Sequence, residues 1–157
     1  MRPEVHNPVD QHKLQQLLPL TEAVFYLHEA GQQYDNELNQ ISRFLGRIVG
    51  QGDVLASFGS ISASDFSNKL AIDWHAVPTD LSDLELLELF DVLCKGRGSA
   101  VVQEYWIRCL VVNTGDGRIS SLIFWPEEYL GSEYDGRELT PAEMLELALR
   151  KRQKETN

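Results

Sequence analysis

Between Ala100 and Trp125 the chain reads as two runs of strand-forming residues around a turn. Val101, Val102, Tyr105, Trp106, Ile107, Val111 and Val112 dominate the first run, and β-branched and aromatic side chains are enriched in strands. Asn113-Thr114-Gly115-Asp116-Gly117 is a turn by composition, and Arg118 to Trp125 returns as the second run. The pattern predicts a long antiparallel β-hairpin. Two strands alone are marginal in water, so the rest of the chain has to cover them. With Asn113 opposite Arg118, one face pairs Cys109 with Leu122 and Ile107 with Phe124. The other face sets Trp106 opposite Trp125 beside Arg108, and a one-residue slip would reshuffle both. Tryptophan and arginine are enriched at binding hot spots. The competing reading has a helix covering this face, with Arg108 lying along the rings.

Helices are expected on both sides of the hairpin. Leu14 to Leu18 reads as a helical turn ended by Pro19. A buried helix follows from Thr21 to Ala30, stopped by Gly31. Asp35 caps a helix from Asn36 to Val49 with Leu38, Ile41, Leu45 and Ile48 at intervals of three and four. Residues 53–58 fit strand or helix, and Ser64 opens a short helix to Ile72. Ser82-Asp83-Leu84-Glu85 is a Ser-x-x-Glu capping box, the sharpest local signal in the chain. Its helix runs to Cys94, with Leu86, Leu87, Phe90 and Leu93 inward and Glu85, Glu88 and Asp91 on the opposite side. Thr140-Pro141 starts a last helix to Arg152, with Met144, Leu145, Ala148 and Leu149 inward and Arg150, Lys151, Arg152 and Lys154 at the negative end of its dipole. Residues 1–12, with Pro3 and Pro8, read as a loose arm. The expected architecture is a single α+β domain over residues 1–157: several helices around one antiparallel hairpin or small antiparallel sheet.

A length of 157 residues suits one domain, and an apolar content of 43 % is enough for a core, which argues against disorder. No apolar run approaches a membrane span, and the first residues lack the apolar stretch of a signal peptide. Two cysteines, Cys94 and Cys109, do not make a disulfide framework, so a reducing cytoplasm is the expected setting.

Little in the sequence carries chemistry. His6, His12, His28 and His75 lack metal-ligand spacing, and the cysteines are not in C-x-x-C, so no metal and no cofactor are expected. There is no G-x-S-x-G elbow; Gly59-Ser60 has only the distant Asp73-Trp74-His75 as a potential base. Both cysteines read as packed thiols. Lys95-Gly96-Arg97-Gly98-Ser99 follows a helix, the reverse of a phosphate loop, and Asn113 to Gly117 has too few acids for calcium. Glu127-Glu128 and Glu133 with Asp135 are paired acids in a loop, where carboxylates are ordinarily solvated.

Charge is the informative property. The chain has 24 acidic and 14 basic residues, a net charge of −10. That disfavours nucleic acid, which is held by lysine and arginine on phosphates, and anionic membranes. It suits a basic protein partner. Residues 79–96 carry five acids and one base, and residues 127–157 eight acids and five bases, on either side of a nearly neutral stretch. Size, acidity, the lack of catalytic motifs and the Ile123-Phe124-Trp125-Pro126 strand end give the chain a character that resembles small acidic bacterial immunity proteins. The resemblance implies binding of one cognate basic toxin, with its active site occluded by acidic side chains. The residues expected to do this are Glu85, Glu88, Asp91, Glu127, Glu128, Glu133 and Asp135, then Trp106, Arg108 and Trp125. Two other readings compete. One is a small enzyme or ligand-binding protein with a cleft near Asp73, His75 and Arg108; the other is a homo-oligomer joined through the tryptophan face.

Overall fold

Ser99 and Gly115 bracket a helix where the composition predicts a strand. In the computed structural model, which describes residues 1–57, 59 and 61–156 with side chains through residue 150, Ala100–Thr114 is α-helical. The Ser99 side chain accepts from the Val102 N–H, and Gly115 closes the C-terminus at φ 76. Its buried residues are Val101, Tyr105, Trp106, Cys109, Leu110, Asn113 and Thr114. Those intervals of four, one, three, one, three and one trace one helical face. The return run is helical too, over Ile119–Phe124, with Ile119 and Leu122 buried. The α+β class with a hairpin is therefore corrected: the protein is mostly helical, with no β-strand among the described residues. The register that set Trp106 opposite Trp125 falls with it. Strand propensity is largely a record of side-chain packing, and a buried helix face accepts the same residues.

The chain divides into two compact units, Val9–Asp73 and Met1–Pro8 with Trp74–Asn157. In chain order the helices are α1 (Pro3–His6), α2 (Gln11–Glu29), α3 (Asp35–Leu45), α4 (Gln51–Ser57), α5 (Ala63–Leu70), α6 (Asp83–Cys94), α7 (Ala100–Thr114), α8 (Ile119–Phe124), α9 (Pro126–Leu130) and α10 (Pro141–Thr156). No helix among the described residues is long and apolar enough to cross a membrane.

In the Val9–Asp73 unit, α2 packs against α3 and α5. Asp10 caps α2 by accepting from the His12 and Lys13 N–H groups. The helix continues through Pro19 where the sequence predicts a break. Pro19 is exposed, so water can serve the carbonyl whose bond it removes. Thr21 and Ser67 are fully buried and their hydroxyls touch, so α2 and α5 meet at small residues. Gly46, at φ 70, stops α3 four residues before the expected end. Ile48 consequently leaves the helical stripe and is 92 % exposed. The cap of α5 is Ser62, not Ser64.

In the second unit, α6 packs against α10, α7 and α8. The capping box at Ser82 and Glu85 is fully formed. Leu86, Leu89, Phe90 and Leu93 are buried, so the core face includes Leu89 where Leu87 was expected. Residues 3–6, within the segment expected to be an arm, form a helical turn whose Val5 is fully buried. Thr140 and Glu143 form a second reciprocal cap at the start of α10, where Met144 and Ala148 are buried. The side chains of Lys151, Arg152 and Lys154, and the whole of Ser60, lie outside the described residues.

Candidate protein-binding surface

The ten residues expected at a partner surface separate into three groups. Glu85, Glu88 and Asp91 share α6, but each already has a cation. Glu85 accepts from the Ser82 N–H and lies 2.9 Å from Arg2 Nε. The Ser82 N–H, with Arg2 behind it, holds Glu85 below the usual carboxylate range. Glu88 lies 3.0 Å from the Met1 amine, and Asp91 2.9 Å from Lys95 Nζ. Arg2 also pairs with Asp80 at 2.8 Å. This face is thus largely matched within the protein and projects less net charge than its composition implies.

Trp106 and Arg108 part company on α7. Trp106 is a core residue, 3 % exposed, and its indole Nε1 donates to the Val5 carbonyl. Arg108 is exposed. For the competing cleft, Asp73 belongs to the Val9–Asp73 unit, and His75 and Arg108 belong to the other.

Trp125, Glu127, Glu128, Glu133 and Asp135 form the third group, along the segment between α8 and α10. Phe124 and Trp125 are 45 % and 51 % exposed, and their rings meet edge to face at 5.9 Å between centroids. Pro126 takes the first turn of α9 and carries Glu127 and Glu128 into solvent. Glu133 and Asp135 flank Tyr134. Asp135 lies 3.7 Å from Arg137 Nε, whereas no described cation comes within ion-pair distance of Glu127, Glu128, Glu133 or the exposed Glu138.

A buried polar clamp holds this segment in place. Asp116, fully buried in the α7–α8 turn, accepts from the Arg118 N–H at 2.9 Å and the Tyr129 hydroxyl at 2.5 Å. Arg118 donates to the Glu128 carbonyl at 2.8 Å, and its guanidinium lies 5.2 Å from the Tyr129 ring centroid. Burial, followed by the Asp116 carboxylate, pushes the Tyr129 hydroxyl well above its ordinary pKa, so it stays a donor. These contacts tie α9 to the α7–α8 turn.

Beside the pair runs a groove of about 320 Å³. Leu93, Cys94, Ile123, Phe124, Leu139 and Met144 line it, together with Glu138. Cys94 Sγ lies 3.6 Å from Met144 Sδ. Burial, then the nearby Asp91 and Glu138 carboxylates, raises the Cys94 thiol pKa, which favours the thiol and slows its reaction with electrophiles without preventing it. Cys109, fully buried, is pushed up to about 11, chiefly by burial. The groove was not expected from the sequence, because α6, α8 and the segment before α10 supply it jointly. The one local sign was the Ile123-Phe124-Trp125-Pro126 run. The Val9–Asp73 unit has a separate polar hollow of about 370 Å³ at the α2–α3 turn, where His28 Nδ1 and the Tyr34 hydroxyl lie 3.0 Å apart.

No protein-family model matches the chain, and no curated protein or solved structure matches it significantly.

Proposed function

We propose that this protein is an acidic protein-binding module whose contact surface is the segment from Phe124 to Glu138. One juxtaposition carries the reading. Two adjacent aromatic side chains, about half exposed, stand beside carboxylates that have no described cation. Contiguous exposed apolar patches mark interaction sites more than single exposed side chains do, and tryptophan is enriched among interface anchors. The carboxylates would attract a basic protein and speed its encounter, while the rings would set its dissociation rate. Stoichiometric neutralisation of a basic toxin domain is the biological form of this activity, with occlusion of the toxin's cationic site by Glu127, Glu128 and Glu133. The module would work in the cytoplasm, where Cys94 and Cys109 remain thiols. The paired α6 acids play a secondary part through the long-range field.

The test is capture from a lysate of the source cell on immobilised wild type and on a Trp125→Ala/Glu127→Gln/Glu128→Gln variant in parallel. A basic protein held by the wild type, released by salt and lost from the variant supports the reading. Equal retention on both, or retention of acidic proteins only, would overturn it.

A further inference from the structure

We propose that the groove beside Phe124 receives the apolar face of a cationic amphipathic helix from the partner; this rests on the protein-binding reading above and names the recognised element. Leu93, Ile123, Leu139 and Met144 give the groove an apolar side, Cys94, Tyr134 and Glu138 give it polar atoms, and its volume of about 320 Å³ lies near the lower end for small-molecule pockets. Acids outnumber bases around it. Glu138 lines it, and Glu127, Glu133 and Asp135 are sequence neighbours of lining residues, whereas the neighbouring bases Lys95 and Arg137 are already paired with Asp91 and Glu143. An occupant therefore needs apolar anchors flanked by lysine or arginine.

Backbone chemistry selects a helix over an extended strand. An extended peptide leaves its N–H and C=O groups to be met by a free sheet edge, and the described residues contain no strand. A helix satisfies those groups internally and can lay an apolar stripe into a groove without leaving them unpaired. The groove walls themselves present mostly side chains with no donors to offer. Phe124 and Trp125 then form a ridge along which the helix lies, with its cations reaching Glu127, Glu133 and Glu138.

Cys94 supplies a reporter inside the groove. It is exposed, whereas Cys109 is fully buried, so alkylation of the folded protein by the neutral reagent iodoacetamide reads out Cys94. The probe is a synthetic helical peptide of leucine and lysine with leucines at i, i+3, i+4 and i+7. The control has the same charge with every leucine replaced by alanine. Saturating leucine peptide should slow Cys94 alkylation at least tenfold, the alanine peptide should slow it less than twofold, and Phe124→Ala, a surface change, should weaken the protection at least threefold. A Cys94→Ser variant fixes the background. Equal effects of the two peptides, or no slowing by either, would overturn the groove assignment. If the leucine peptide shifts tryptophan emission in the wild type and not in Trp125→Phe, without protecting Cys94, and Glu127→Gln/Glu128→Gln weakens that binding, the groove fails and the acidic module stands. If neither peptide binds, both proposals fall.

Discussion

The indole Nε1 of Trp106 donates to the backbone carbonyl of Val5 at 2.8 Å, joining α1 to α7 across 101 residues of sequence. Both groups are buried, so the bond ties the N-terminal turn to the second unit's core. Trp106→Phe removes the donor and also the outer ring carbons that pack beside Gly98, so a cavity adds to the loss. Leaving a buried carbonyl without its partner costs about 1–3 kcal/mol. Urea denaturation should show at least that loss in midpoint with little change in slope.

Gly98 packs against the same ring. It sits at φ +79, and a Cβ there would come within 2.9 Å of two Trp106 ring carbons. Gly96, at φ +65, has open space where its Cβ would be. Gly96→Ala therefore suffers only backbone strain, about 1 kcal/mol. Gly98→Ala adds a clash with a buried ring, for about 1–3 kcal/mol more. Thermal unfolding of the two variants side by side should rank them in that order; an equal loss would mean that the ring yields freely.

Arg137 and Glu143 make a bidentate pair at the start of α10, at 2.9 and 2.5 Å. The Arg137 hydrogen bond, followed by those from Thr140, lowers the Glu143 pKa from an ordinary 4.5 to about 2. A carboxylate depressed by folding adds stability that is fully present above its unfolded pKa and is lost as pH falls through its folded one. Wild type should thus be more stable than Arg137→Met at pH 7. The gap should hold down to about pH 5 and close progressively between about 4.5 and 2. Melting temperatures of both proteins across that range check it, and a gap that widened on acidification would reverse the sign.

Local signals in the sequence located ends of helices better than their neighbours in space. Ser82 with Glu85, Gly31, and Thr140 before Pro141 each act through hydrogen bonds or dihedral angles within a few residues, and each works in the structure as expected. Residues 100–125 were misread because Val101, Tyr105, Trp106 and Ile107 have strand chemistry, while apolar side chains on several faces of α7 blur its period. Ser99 at the cap and Gly115 at the stop were the legible signs of a helix. The binding surface was legible in part. Trp125, Glu127 and Glu128 are sequence neighbours and stay together whatever the fold. Leu93, Ile123, Leu139 and Met144 meet only through tertiary packing. The same holds for Arg2 with Glu85, whose pairing across 83 residues quiets a helix face that composition alone marks as strongly acidic.

The Asp116 clamp tests whether the proposed surface is held rigidly. Tyr129→Phe removes one donor from a fully buried carboxylate and leaves the Arg118 N–H in place. Hydrogen bonds to charged groups are worth about 1.5–3 kcal/mol, so the variant should lose that much stability. Asp116→Asn carries no charge at this position, and in that background Tyr129→Phe should cost less, with a coupling of about 0.5–3 kcal/mol in a double-mutant cycle. Trp125 reports the local consequence. Because Arg118 and Tyr129 anchor α9 just beyond the indole, Tyr129→Phe should also change the part of the native tryptophan emission or quenching that Trp125→Phe removes, the rest coming from Trp74 and Trp106. Additive losses with unaltered Trp125 fluorescence would show that α9 is held by apolar packing alone, without the clamp.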